Sequence, residues 1–158
     1  MTQSSPAHDT SAHTAARQRA MAAFAAADPT HLAAAKACLP ALPAFDLVRP
    51  PETGLVMVRG KAGGSGQPFN LGEVTVTRCV VRLKTGETGS AYCLGRHKQK
   101  AADAALFDAL WQSPDFRTRI EEEVIAPLEQ KQAEADARLK AETAATKVDF
   151  FTMVRGDN

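Results

Sequence analysis

Along this chain the spacing of apolar positions runs from helical to alternating and back to helical. Residues 1 to about 12, MTQSSPAHDTSA, show no periodic apolar face and cannot repay the entropy of ordering, so they predict a disordered tail. From about Thr14 the alanine-rich run RQRAMAAFAAA favours helix. Asp28-Pro29 then offers an N-cap followed by proline in the first turn, which predicts a second short helix over about 29 to 38, ended by Pro40 and Pro43. Three runs of strand character follow: LVRPPETGLVMVRGKA, GEVTVTRCVVRLKT and TGSAYCLG. The intervening KTGETGS, with Gly86 and Gly89, makes the last two a hairpin. In the second run Val74 and Val76 share one face while Cys79, Val81 and Leu83 share the other, which predicts a bulge near Arg78 or burial on both faces.

After Gly95 the positions Ala101, Ala102, Ala105, Leu106, Ala109 and Leu110 return at helical spacing, with Phe107 and Trp111 alongside. Ser113-Pro114-Asp115 ends that helix and caps another, IEEEVIAPLEQ, which must kink or break at Pro127. From Leu128 to about Thr146 the helical preference continues, with Glu134 to Arg138 and Asp136 to Lys140 as i,i+4 pairs, but the segment is polar nearly all round. Such a helix stands in solvent or lies across another chain.

This order of elements predicts an α+β fold: a small, mainly antiparallel sheet with helices packed on one face, two N-terminal helices, and an extended C-terminal helix ending in a docking tail. Residues 1–12 form the tail, 13–147 a single domain with its helical arm, and 148–158 the docking segment. A length of 158 residues, 44% of them hydrophobic and 23% charged, suits one domain whose core needs no metal or disulfide. The formal net charge of +1 excludes a broad nucleic-acid or acidic-membrane footprint. Cys38, Cys79 and Cys93 are odd in number and lack CxxC spacing, so neither a disulfide framework nor a metal site is signalled, and a cytoplasmic location is expected. No apolar run approaches the ~20 residues of a spanning helix, and the N-terminus lacks the order of a secretory signal.

Candidate chemistry concentrates where the third strand passes through Gly95 into a helix. Arg96, His97, Lys98 and Lys100 place cations at the positive end of a helix dipole, at a cost of about 0.3–1 kcal/mol each when exposed. Two readings fit: a solvated basic helix start, partly offset by Lys100 to Asp103, or a site where a phosphate, phosphonate or carboxylate takes the free N–H groups. The run GKAGGSGQPF resembles a phosphate-cradling loop, but Lys61 precedes the glycines and Pro68-Phe69 leads to strand, so a flexible link is the alternative. His31 decorates a helix surface, and His8 and His13 fall in the tail. Glu121, Glu122 and Glu123 read as a solvated helix face. The segment Val148 to Asn158 is hydrophobic where an end should fray: Phe150, Phe151, Met153 and Val154 predict docking, on this protein's own sheet or on a partner, with Arg155 and Asp157 at the rim.

The stretches ETGLVMVRGKAGGSGQPFNLGEVTVTR, LGRHKQKAADAALFDAL, VIAPLE and ATKVDFFTMVRGDN resemble the PhnG family, subunits of carbon-phosphorus lyase, from about residue 15 onward. The resemblance implies a role in bacterial phosphonate use, in a cytoplasmic core complex with PhnH, PhnI and PhnJ and with two copies in a two-fold assembly. It implies that the chain, with PhnI, PhnH and PhnL, supports replacement of the adenine of ATP by an alkylphosphonate. The iron-sulfur cluster and S-adenosylmethionine of the later bond-breaking step would belong to PhnJ, and this chain would bind no cofactor of its own. The family transfers no catalytic residue, and its members can carry an acidic residue in place of His97.

Two other readings come from the residues. Two short helices before a hairpin can form a winged helix-turn-helix that binds DNA, although THLAAAKACL offers one lysine and few groups able to read a base edge. A purely structural adaptor is the third reading.

Overall fold

The computed structural model describes residues 6–39, 41–63 and 65–146. Helix α1 spans Pro6–Ala26 and α2 Pro29–Cys38. Strands β1 (Phe45–Lys61), β2 (Pro68–Leu83) and β3 (Thr88–Leu94) form one antiparallel sheet in the order β1-β2-β3. Helix α3 (Lys98–Gln112) follows, then α4 (Pro114–Arg119), a π-helical turn over Ile120–Ile125, and α5 (Ala126–Ala145).

The α+β expectation holds, with one refinement in the layering. Nearly every residue of α3 from Lys100 to Trp111 is buried, because the sheet covers one side of the helix and α1, α2 and the π-helical turn cover the other. A helix enclosed all round must be apolar or small all round, and alanines supply that. Phe24 of α1 stacks on Phe107 of α3 with ring centroids 5.5 Å apart, and Trp111 completes the largest buried group.

Helix α1 begins at Pro6, so residues 6–12 of the predicted tail are helical. Once the packed part of a helix is nucleated, each further residue costs little to add. Asp28 caps α2 as expected, accepting from the Thr30 N–H at 2.8 Å, with Pro29 in the first turn. From Thr77 to Leu83 the alternation of β2 does not slip: Thr77, Cys79, Val81 and Leu83 are all buried against α3. Thr77 holds an inward place that looks polar in sequence, because its hydroxyl donates to the Gly95 carbonyl at 2.7 Å. Val74, Val76 and Val80 are half-buried on the opposite face. The irregularities lie instead in β1, opposite Arg78 to Val81, and in β2 at Leu71, which the pairing of Val58 with Gly72 and Arg59 with Asn70 passes over.

Pro127 neither breaks the helix nor ends it. The π-helical turn just before it carries the bond from the Ala126 N–H to the Glu121 carbonyl, so the register is already widened where proline removes a donor. Helix α5 then runs on with every residue from Gln130 exposed, as its polar sequence requires. None of the described helices is long and apolar enough to cross a membrane.

Candidate functional site

Strand β3 leaves the sheet at Leu94, where the Gly95 N–H donates to the Thr75 carbonyl at 2.8 Å. Gly95 adopts φ +87, a left-handed conformation that glycine reaches without strain. His97 is the N-cap of α3, with no side-chain capping bond, and the first turn contains no acidic residue. Arg96, His97 and Lys98 are exposed there together. Lys100 turns inward and is only 9% exposed, and its charge reaches the Asp28 carboxylate.

The local offset expected from Asp103 is absent. Asp103 is buried and accepts from Lys36 Nζ at 2.7 Å and from Gln99 Nε2 at 3.0 Å. The carboxylate nearest in sequence therefore serves α2, and the basic turn keeps its charge for other anions. Chemically the turn offers peptide N–H groups and mobile cations to a phosphate-like group.

The other carboxylates singled out by position behave differently from their sequence reading. Glu121 is half-buried and accepts from Trp111 Nε1 at 2.6 Å while pairing with Arg19, whereas Glu122 and Glu123 are exposed. Arg117 lies over the Trp111 ring at 4.2 Å, and His13, on ordered helix α1, sits 5.4 Å from the same ring. His31 is exposed on α2 as expected. Lys61 ends β1, and Ala62 to Gln67 make the β1–β2 connection, with the Gly66 N–H donating to the Ala62 carbonyl. That run leads into a strand and not a helix, so it acts as a link. Burial pushes the Cys79 and Cys93 thiols up, leaving them protonated and poor as ligands or nucleophiles. The docking residues Phe150, Phe151, Met153, Val154, Arg155 and Asp157 lie outside the described residues.

Two residues that carry much of the architecture escape a sequence reading of the site. Asp108 is 1% exposed and accepts from Arg17 Nε and Nη2 at 2.9 and 2.8 Å and from the Ser90 N–H at 2.8 Å. Gln112 Nε2 donates to the Thr88 carbonyl at 2.8 Å. These bonds cover the free edge of β3 at its start, Thr88 and Ser90. Between α1 and α5 lies a groove of about 690 Å³, floored by Ala22, Ala23, Ala26 and Leu128, with Arg19 bridging to Glu129 at 2.7 Å.

The winged-helix reading is not supported. The one lysine of α2, Lys36, is engaged with Asp103, and the exposed face of that helix offers Ala33, Ala34 and Ala37 with only Thr30, His31 and Cys38 beside them.

A three-stranded antiparallel sheet on a buried alanine-rich helix, with an uncapped basic turn and a projecting polar arm, defines a small α+β protein. Residues 15–156 match the family described as phosphonate metabolism protein PhnG, and the chain belongs to that family. The alpha-D-ribose 1-methylphosphonate 5-triphosphate synthase subunit PhnG of Rhizobium meliloti (strain 1021) is 58% identical over 114 residues, covering 70% of each chain.

Proposed function

We propose that this chain is the PhnG component of a ribose 1-methylphosphonate 5-triphosphate synthase, a non-autonomous subunit whose basic α3 start helps hold an anionic group of the substrates. The carrying observation is family membership together with the identity to a relative bearing that subunit's name. The local support is the turn at Arg96, His97 and Lys98, exposed and without a carboxylate in the first helical turn.

Displacing adenine from the ribose carbon of ATP needs the triphosphate charge compensated, the phosphonate oriented and the leaving base protonated. Arg96 and Lys98 serve the first of these, His97 lies beside them as a donor, and Lys100 adds positive potential from within the body. Proton transfer and base displacement belong to partner subunits. In this reading the partners are PhnH, PhnI and PhnJ, assisted by PhnL, in a cytoplasmic two-fold assembly. The iron-sulfur cluster and S-adenosylmethionine of the later carbon-phosphorus cleavage reside in PhnJ. The segment holding Phe150, Phe151, Met153, Val154, Arg155 and Asp157 anchors the chain to a neighbour.

The test is adenine release by the reassembled complex carrying Arg96→Ala and Lys98→Ala. A higher KM for ATP with intact assembly is expected. Unchanged turnover at limiting ATP would leave a purely structural adaptor.

A further inference from the structure

The outer edges of the sheet are guarded almost everywhere. Helices α1 and α3 satisfy the start of the free edge of β3, at Thr88 and Ser90, through Arg17, Asp108 and Gln112. The lower part of β1 carries Pro50, Pro51, the ion pairs of Glu52 with Arg49 and Arg78, and two register shifts. Prolines, charges and bulges are the usual means of preventing strand addition.

The far end of β1–β2 is less guarded: it holds a single register shift, at Val58/Arg59, and none of the ion pairs among the described residues. Strand β3 pairs with β2 only from Val76 to Arg82, so Leu55–Lys61 and Pro68–Thr75 continue alone as a two-stranded ribbon. Alternation places Leu55 and Met57 on the α3 side, and Val56 and Val58 on the other. Neither side is covered: Leu55 is 63%, Met57 48%, Leu71 66% and Phe69 46% exposed. A lone ribbon is marginal in water, and this one presents apolar side chains on both faces.

Charge around the ribbon is one-sided. It carries Arg59 and Lys61 against Glu73, and the Gly95–Thr75 bond places Arg96, His97 and Lys98 at its root. In a chain of net charge +1 this is a local concentration of cations, so the complementary surface is acidic.

Building on the proposed subunit role, we infer that the β2 edge from Phe69 to Thr75 receives an extended segment of a non-identical subunit, with apolar residues at alternate positions and carboxylates flanking them. Strand addition supplies main-chain bonds to the unpaired edge, and the alternate side chains cover the ribbon. A segment seated there also approaches the α3 start; its carboxylates pair with Arg59 and Lys61, which leaves Arg96 and Lys98 to the substrate anion.

Hydrogen exchange on the full-length chain, free and in the reassembled complex, tests this. Those amides between Phe69 and Thr75 that point away from β1 exchange freely in the lone chain and become protected on assembly. Leu71→Glu, and Arg59→Glu with Lys61→Glu, weaken capture of the other purified subunits by about tenfold or more, while Leu71→Met does not. Three results overturn the inference: no added protection in an active wild-type complex; protection that appears in the lone chain with rising concentration, which makes a second copy the occupant; or protection of the free chain that deletion of residues 147–158 removes. In the first case the subunit role stands and only the ribbon interface falls, whereas a wild-type chain that fails to assemble removes both.

Discussion

Gly89 of β3 and Ala109 of α3 approach so closely that a Cβ on Gly89 would lie 2.4 Å from the Ala109 backbone nitrogen, and 2.1 Å from the Ala105 carbonyl oxygen. Both obstacles are backbone, so no side chain can swing away. Gly89→Ala must therefore push α3 off the sheet, at a cost of about 1–3 kcal/mol or more by urea unfolding. Gly54→Ala, with nothing within 4 Å of the added carbon, stays within about 0.5 kcal/mol of the parent. Equal stability of the two variants would contradict the close approach.

Asp108 joins three elements from one buried position, and its removal strands Arg17 and the Ser90 N–H together. Asp108→Ala is expected to cost about 3 kcal/mol, the lower end for a broken buried pair because the Arg17 side chain keeps 32% exposure. Faster exchange at Ser90 should accompany the loss. A change below about 0.5 kcal/mol would mean that the edge of β3 is held by other contacts.

Trp111 is the sole tryptophan and reports directly on the corner where α1, α3 and the π-helical turn meet. Glu121→Ala leaves the indole N–H without its carboxylate and frees Arg19, costing about 1–3 kcal/mol. Emission should shift to longer wavelength as water reaches the ring. Unshifted emission would place the indole bond outside the folded state in solution.

The cap at Asp28 gives a pH dependence of known sign. The Thr30 hydroxyl, and after it the Thr30 N–H, hold the Asp28 carboxyl below the usual carboxylate range. A depressed folded value means that the stabilisation is fully present above the unfolded value, about 3.9, and is lost as pH falls through the lower folded value. The melting temperature of the wild type should exceed that of Asp28→Ala by a constant margin near neutrality, and the margin should close in acid below about pH 4. A margin that persists to about pH 2 would assign the effect to something other than this carboxylate.

Much of the fold was legible because its signals are local. Asp28-Pro29 marks the start of α2, and alanine spacing around Phe107 marks α3. Gly86, with φ +116, provides the β2–β3 turn that its segment predicts. The exposed turn is legible too, since Arg96, His97 and Lys98 adjoin one another in sequence. Long-range relationships were not: Arg17 and Asp108 stand 91 positions apart, and nothing around either residue names the other. In sequence Gly89 has the obvious local use of a glycine near a hairpin, and only the arrival of α3 reveals the steric one. Pro127 correctly signalled a disturbance, but whether a helix kinks or widens depends on how neighbouring turns pack. That Lys100 would face inward, away from Arg96 and Lys98, likewise follows from packing against α2 and β3.

The central claim is that this chain works only as part of an assembly. The most direct measurement is adenine release from ATP and methylphosphonate by the chain alone, by the remaining subunits without it, and by the recombined set. The account predicts release from the recombined set only. A lone chain that turns over as fast as the complex, or a complex indifferent to its omission, would contradict it.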